Sequence, residues 1–330
     1  MSGTWHSQCC CRWAGAEYQP FILQPFGAQA QLRSVLAALC FAASFAISCA
    51  HGKERAPAAQ DRLSIRVTEG GWGNARPADI EAVLNSAARE LFAHFPGRSL
   101  APIVVSHSEG NPRVLYQRGP NGEYLMQLSA GNRRWSQYAY QFAHEFCHVL
   151  SNYDNKQFAG DTPIAPNQWL EESLCEAASL FTLRSMANSW EAAPPYPQWR
   201  DYAPLLRDYA GQLAGEAHRH LAEGTDLSQW YRQHRDNLRG SAYLREYNEV
   251  LANVLASDLA AEPRHWTALA FLNADKSATI GDLGDYIESW SSATPEPQRA
   301  FVQKLAQLLG VADEAAPLKL ASASLILQQP

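Results

Sequence analysis

The chain has 330 residues, 46% hydrophobic and 18% charged, which fits one large domain or two small ones. A net charge of −6 with no basic cluster speaks against a nucleic-acid partner. Nothing in the main body is long enough for a conventional membrane span.

The first 49 residues read as a signal segment. Arg33 precedes the apolar run Val35–Ile47, which ends in Ser48-Cys49-Ala50. One basic residue, a short apolar stretch and small residues at its end describe a secretory signal, and the run is short for a membrane anchor. Ala46-Ile47-Ser48-Cys49 resembles a bacterial lipobox, with Ala where Leu is usual. That resemblance implies cleavage before Cys49, lipid attachment to it, and an exported protein anchored in the cell envelope or periplasm. Residues 1–32 precede the signal and read as the product of an upstream start codon. Residues 50–60 are polar and rich in Ala and Pro, a linker.

From residue 61 the pattern is that of a folded unit. Leu63–Val67 alternates and predicts a strand closed by Gly70-Gly71-Trp72-Gly73. Pro77 opens a helix, with Ile80, Val83, Leu84, Ala87, Ala88, Leu91 and Phe92 keeping helical spacing up to Phe95-Pro96. Pro102–Ser106 and Arg113–Gln117 predict two more strands. Pro120-Asn121-Gly122 predicts a turn into a fourth strand, Tyr124–Leu128.

Tyr138–Leu150 has no Pro or Gly, is apolar on most sides, and carries His144-Glu145-Phe146-Cys147-His148. Positions i and i+4 share a helix face, so His144 and His148 can present two imidazoles to one ion. Glu145 lies close enough to that face to handle a water at the ion. This is the HExxH arrangement, in which two His bind zinc and the Glu is the general base. The competing reading is two ordinary histidines hydrogen-bonded in a core. The segment 152–166, with Gly160, Pro163 and Pro166, predicts a loop bordering the site.

A second helix begins near Asn167 and runs to about Met186. Zinc in hydrolases usually takes three protein ligands, and two His with a Glu is one standard set. Glu171, Glu172 and Glu176 fall within six residues, flanked by Trp169, Leu170, Leu174, Ala177 and Leu180. Glu172 and Glu176 share a helix face, and Glu171 reads as solvated.

Trp169-Leu170-Glu171-Glu172, following the HExxH helix, resembles the gluzincin metallopeptidases, the group of thermolysin-like and aminopeptidase-N-like enzymes. The resemblance implies that Glu172 is the third ligand of one Zn²⁺ per chain, with Glu176 or Glu171 as the alternative. It implies that Glu176 is a carboxylate that hydrogen-bonds a ligand His from behind. It further implies an α+β fold: a small N-terminal β-sheet with one helix, then a mostly α-helical zincin-like catalytic and C-terminal region. Residues 61–190 are then the catalytic core, 191–310 a helical continuation of the same unit, and 311–330 a tail. Gluzincins bind peptide along a sheet edge, and Tyr124–Leu128 is the candidate edge strand.

After Asn188 the sequence is helical almost throughout, with predicted helices starting at Tyr202, Leu227, Tyr243, Trp266, Ile280 and Gln298. Around Tyr243-Leu244-Arg245-Glu246 the chain loosely resembles the aminopeptidase-N-like region that carries Tyr-x-Lys-Gly, without its Gly. This points to Tyr243 as the donor to a developing oxyanion, with Tyr247, His218, His220 and His234 as alternatives. The Gly-x-Met-Glu-Asn string by which those relatives hold a free amino terminus is absent, which speaks against aminopeptidase action.

Five of the seven cysteines (Cys9, Cys10, Cys11, Cys40, Cys49) lie in the leader, leaving Cys147 and Cys175, one on each metal-motif helix. In an exported protein such a pair invites an intramolecular disulfide; the other reading is two buried small hydrophobes. The expected activity is hydrolysis of a peptide or protein substrate by an exported zinc metallopeptidase. The alternatives are a non-catalytic envelope lipoprotein that retains the site for binding or structure, and hydrolysis of another amide or ester.

Overall fold

The computed structural model describes residues 63–156, 158–159, 162–163, 165–276 and 281–312. The expected leader with Cys49, the expected linker to residue 60 and the expected tail beyond 312 lie outside the described residues. The fold is α+β: a four-stranded mixed sheet near the N-terminus, then a mostly helical chain.

The sheet is built from β1 (Ile65–Val67), β2 (Ile103–His107), β3 (Arg113–Arg118) and β4 (Tyr124–Leu128), in the order β1-β2-β4-β3. β1, β2 and β4 run parallel; β3 is antiparallel to β4. Alternate side chains of β1, β2 and β4 are buried, among them Ile103, Val105, Tyr124, Met126 and Leu128, whereas β3 buries only Val114. Between β1 and β2 runs α1 (Pro77–Phe92), whose proline sits at the start, where its missing N–H costs nothing. Its buried stripe, Ile80, Val83, Leu84, Ala87, Ala88 and Leu91, packs against β1, α2 and α3.

The edge strand at the site is β3, which corrects the expectation for Tyr124–Leu128. A tight turn, with Gly119 N–H donating to the Glu123 carbonyl at 2.9 Å and Gly122 at φ 83°, pairs β3 and β4 as a hairpin. β4 contributes three buried apolar side chains and goes inside. β3 carries Arg113, Gln117 and Arg118, and takes the solvent-facing edge.

Two long helices follow. α2 (Trp135–Leu150) is buried at all but two of its positions, and α3 (Gln168–Ala192) along most of its 25 residues. A helix buried all round needs neighbours on every side. α3 has them: α2 and α1, then α4 (Ala203–Ala214) and α6 (Arg245–Ala261) from the C-terminal half. α5 (Leu227–Gly240), α7 (Leu283–Ala293) and α8 (Arg299–Leu309) complete the helical part. α5 and α7 are capped by Asp226 and Asp282, which accept from the N–H groups of Gln229 and Asp285. Tyr243 precedes α6 rather than lying within it, and Pro263–Phe271 forms a 3₁₀ helix where an ordinary one was expected from Trp266. All described residues fall in one compact unit.

Candidate metal centre

His144 and His148 project from the same face of α2 toward α3, where Glu172 meets them. Glu172 Oε2 lies 3.2 Å from His144 Nε2 and 3.5 Å from His148 Nε2. The three residues offer donor atoms that all lie within 4.8 Å of one another, and all three are buried. Glu145 shares their pocket. Val114 of β3 and Pro112 just before that strand wall one side, and Tyr153, Lys156 and Gln168 complete the lining. The Val114 backbone N–H bonds the Glu145 carboxylate, and the Val114 carbonyl accepts from Tyr153 Oη at 2.7 Å.

Each imidazole is backed by a carboxylate on the nitrogen that faces away from Glu172. For His148 that carboxylate is Glu171, whose Oε1 lies 2.6 Å from Nδ1. The expectation of a solvated Glu171 is therefore corrected: it is 2% exposed. Ser151 Oγ donates to its Oε1 at 2.9 Å, Asn273 Nδ2 to its Oε2 at 3.0 Å, and Lys156 Nζ sits 3.2 Å from Oε1. Burial alone would make this acid weaker, but Lys156 and His148 outweigh it and bring its pKa down to about 2. Tyr286 Oη in turn donates to Asn273 Oδ1 at 2.6 Å.

For His144 the carboxylate is Glu176, with Oε2 3.7 Å from Nδ1. Its Oε1 accepts from Arg219 Nη1 at 2.8 Å and from the Tyr140 hydroxyl. Arg219, 1% exposed, also reaches Glu249 at 2.7 Å, and Arg245 pairs with Glu249 and donates to Tyr140 Oη at 2.9 Å. Burial opposes ionisation of Glu176, yet Arg245, His144 and Arg219 hold its pKa below the ordinary carboxylate range.

The charges fit a divalent cation. Glu145, Glu171, Glu172, Glu176 and Glu249 are buried carboxylates; the basic side chains packed among them are Lys156, Arg219 and Arg245. Acidic side chains outnumber the basic ones there, which suits a bound cation. Without such an ion the balance falls on the ligands: burial lowers the His148 pKa, but Glu172 and Glu171 override it and raise it to about 10. Glu172 itself is held well below its ordinary range, since His148 and His144 outweigh the effect of burial. Glu145 moves the other way. Burial raises its pKa more than His144 and His148 lower it, which favours a group that accepts and returns a proton.

Two other donor groups occur among the described residues. His148, Glu171 and Cys175 form one, already served by Lys156, and Glu216, His218 and Glu249 the other, already paired with Arg219 and Arg245. Cys147 and Cys175 are both free and buried, so the expected bridge is not formed. Cys175 Sγ lies 3.5 Å from His148 Nδ1 and hydrogen-bonds Cys147; burial, reinforced by Cys147 and the nearby carboxylates, keeps it a protonated thiol.

Tyr243 does not line the pocket; its hydroxyl meets Gln168 Nε2 at 3.3 Å. Of the alternatives, His218 is bound to Glu249, Tyr247 packs at a tilt against His234, and His220 is exposed. Sequence reasoning missed Gln168, Lys156, Asn273, Arg219 and Arg245. Only Gln168 had a local signal, one helical turn before Glu172; the others arrive from distant segments. No protein-family model matches the chain, and no curated protein matches it.

Proposed function

We propose that this protein is a gluzincin-type zinc metallopeptidase, exported and lipid-anchored through Cys49. One observation carries the reading: Glu172 Oε2 faces both imidazole Nε2 atoms while the Glu145 carboxylate shares the pocket. His144, His148 and Glu172 are the residues that hold the ion. Zn²⁺ bound there supplies a Lewis acid that polarises a carbonyl and makes a water acidic.

The chain's own residues do the rest. Glu145 takes a proton from the attacking water at its carboxylate and delivers it to the leaving amine. The Val114 N–H fixes the orientation of Glu145. Glu171, hydrogen-bonded to His148 Nδ1, sets that ring's orientation and tautomer, and Glu176 lies within ion-pair reach of His144 Nδ1. A peptide laid along β3 passes the ligand set, because Val114 of that edge and Pro112 just before it line the pocket.

The test is metal content after dialysis against metal-free buffer, wild type beside Glu172→Gln, followed by a screen of peptide cleavage with Glu145→Gln as control. About one zinc per chain, lost in Glu172→Gln, with cleavage lost in Glu145→Gln, is the expected result. Zinc bound without cleavage of any peptide would favour the non-catalytic envelope lipoprotein. No zinc in the wild type would remove the hydrolase reading.

A further inference from the structure

The two oxygens of Glu172 have different surroundings. Oε2 faces the imidazoles, whereas Oε1 accepts a hydrogen bond from Gln168 Nε2 at 3.1 Å. Gln168 lies one helical turn before Glu172, so the two side chains share a face of α3. It is buried and lines the pocket. Charge determines which way its amide points, since the flipped amide would press its carbonyl against a carboxylate. An amide nitrogen carries two hydrogens. One serves Glu172, and the other points to the Tyr243 hydroxyl at 3.3 Å.

We propose that Gln168, steadied by Tyr243, is a positioning residue that makes Glu172 bind the metal ion through Oε2 alone. Carboxylates bind metal ions through one oxygen or both, and a hydrogen bond that engages Oε1 favours the first mode. Two imidazoles and one oxygen then leave a coordination position for water, as a catalytic ion requires and a closed structural site does not. Tyr243 thus acts at one remove, through Gln168, and not as the oxyanion donor. The inference rests on the metal-site reading above.

Cobalt(II) tests it without relying on activity, because its visible absorption weakens as coordination number rises. The full chain is titrated with Co²⁺ as wild type, Gln168→Met, Tyr243→Phe and the double variant. Gln168→Met is expected to show a weaker band per bound ion and about 10-fold weaker binding. Tyr243→Phe, which removes one hydroxyl, is expected to bind about 3-fold more weakly. That loss should vanish when Gln168 is already Met, because the two act in series. An unchanged band and affinity in Gln168→Met would overturn the proposal while leaving the metal site standing. If that variant does not fold, Tyr243→Phe decides: wild-type affinity and spectrum in it would overturn the proposal. Additive losses in the double variant would overturn the series arrangement. No Co²⁺ bound by the wild type would overturn the metal site and this inference together.

Discussion

Glu145 and its neighbours show how burial divides labour among carboxylates of one kind. Glu171, Glu172 and Glu176 face cations or imidazoles and stay ionised; Glu145 has less compensation and its pKa rises. Glu145→Gln is therefore expected to keep the metal and lose roughly 10²–10⁴-fold in peptide cleavage, measured as kcat/KM. Zinc loss in that variant would count against the division. The pH response of the metal-free protein follows from two neighbouring shifts. His148, raised from 6.5 to about 10, contributes fully below pH 6.5 and loses that contribution as pH rises through 10. Glu171, lowered from 4.5 to about 2, contributes above pH 4.5 and loses it as pH falls through 2. Chelator-treated protein should thus show its highest urea midpoint between pH 4.5 and 6.5, where both contributions are present. A midpoint that climbs from pH 6.5 to 10 would contradict the arrangement.

Between elements, the contacts that matter are those joining the end of the 3₁₀ helix to α2 and α3. Asn152, at φ 61°, turns the chain after α2 and donates to the carbonyls of Ala270 and Leu272 at 2.8 and 2.7 Å. Asn273, at φ 59°, answers by donating to the Ser151 carbonyl and to Glu171, each at 3.0 Å. Asparagine tolerates this left-handed conformation, and its amide serves both partners. Asn273→Leu loses the hydrogen bonds and adds backbone strain. It should cost about 2–4 kcal/mol in denaturant unfolding and weaken zinc binding through Glu171. A variant that is as stable as wild type and binds zinc as tightly would show that the link is incidental. The HExxH helix, the second metal helix and α1 were legible because their apolar spacing is local. The sheet order was not, since adjacency of β2 and β4 depends on which strand tolerates the edge.

On the scale of the whole molecule, the C-terminal helices complete the candidate metal centre rather than stand beside it. Arg219 precedes α5 and joins Glu176 of α3 to Glu249 of α6, wholly buried. Arg219→Met strands two buried carboxylates and should cost about 3–5 kcal/mol of stability. A smaller cost in thermal or chemical unfolding would mean that Arg245 alone balances the pair. For the same reason a fragment ending at Ala192 exposes the α4 and α6 faces of α3 and should show no cooperative unfolding transition. A sharp transition in that fragment would make residues 61–190 an independent domain.

The resemblance singled out Glu172, whereas the sequence by itself determined the α+β class, the order of the four sheet strands and of α1 to α3, and the face shared by His144 and His148 with Glu145 beside it. Those features rest on spacings of one to four residues, which the helix converts directly into a shared face. Tertiary structure alone decided that β3 is the edge, that Glu171 is buried against His148, and that Lys156, Asn273, Arg219 and Arg245 surround the carboxylates. Those partners come from segments up to 102 residues away from the carboxylates they serve. No local periodicity encodes them, because a buried charge finds its partner through packing in space and not through distance along the chain.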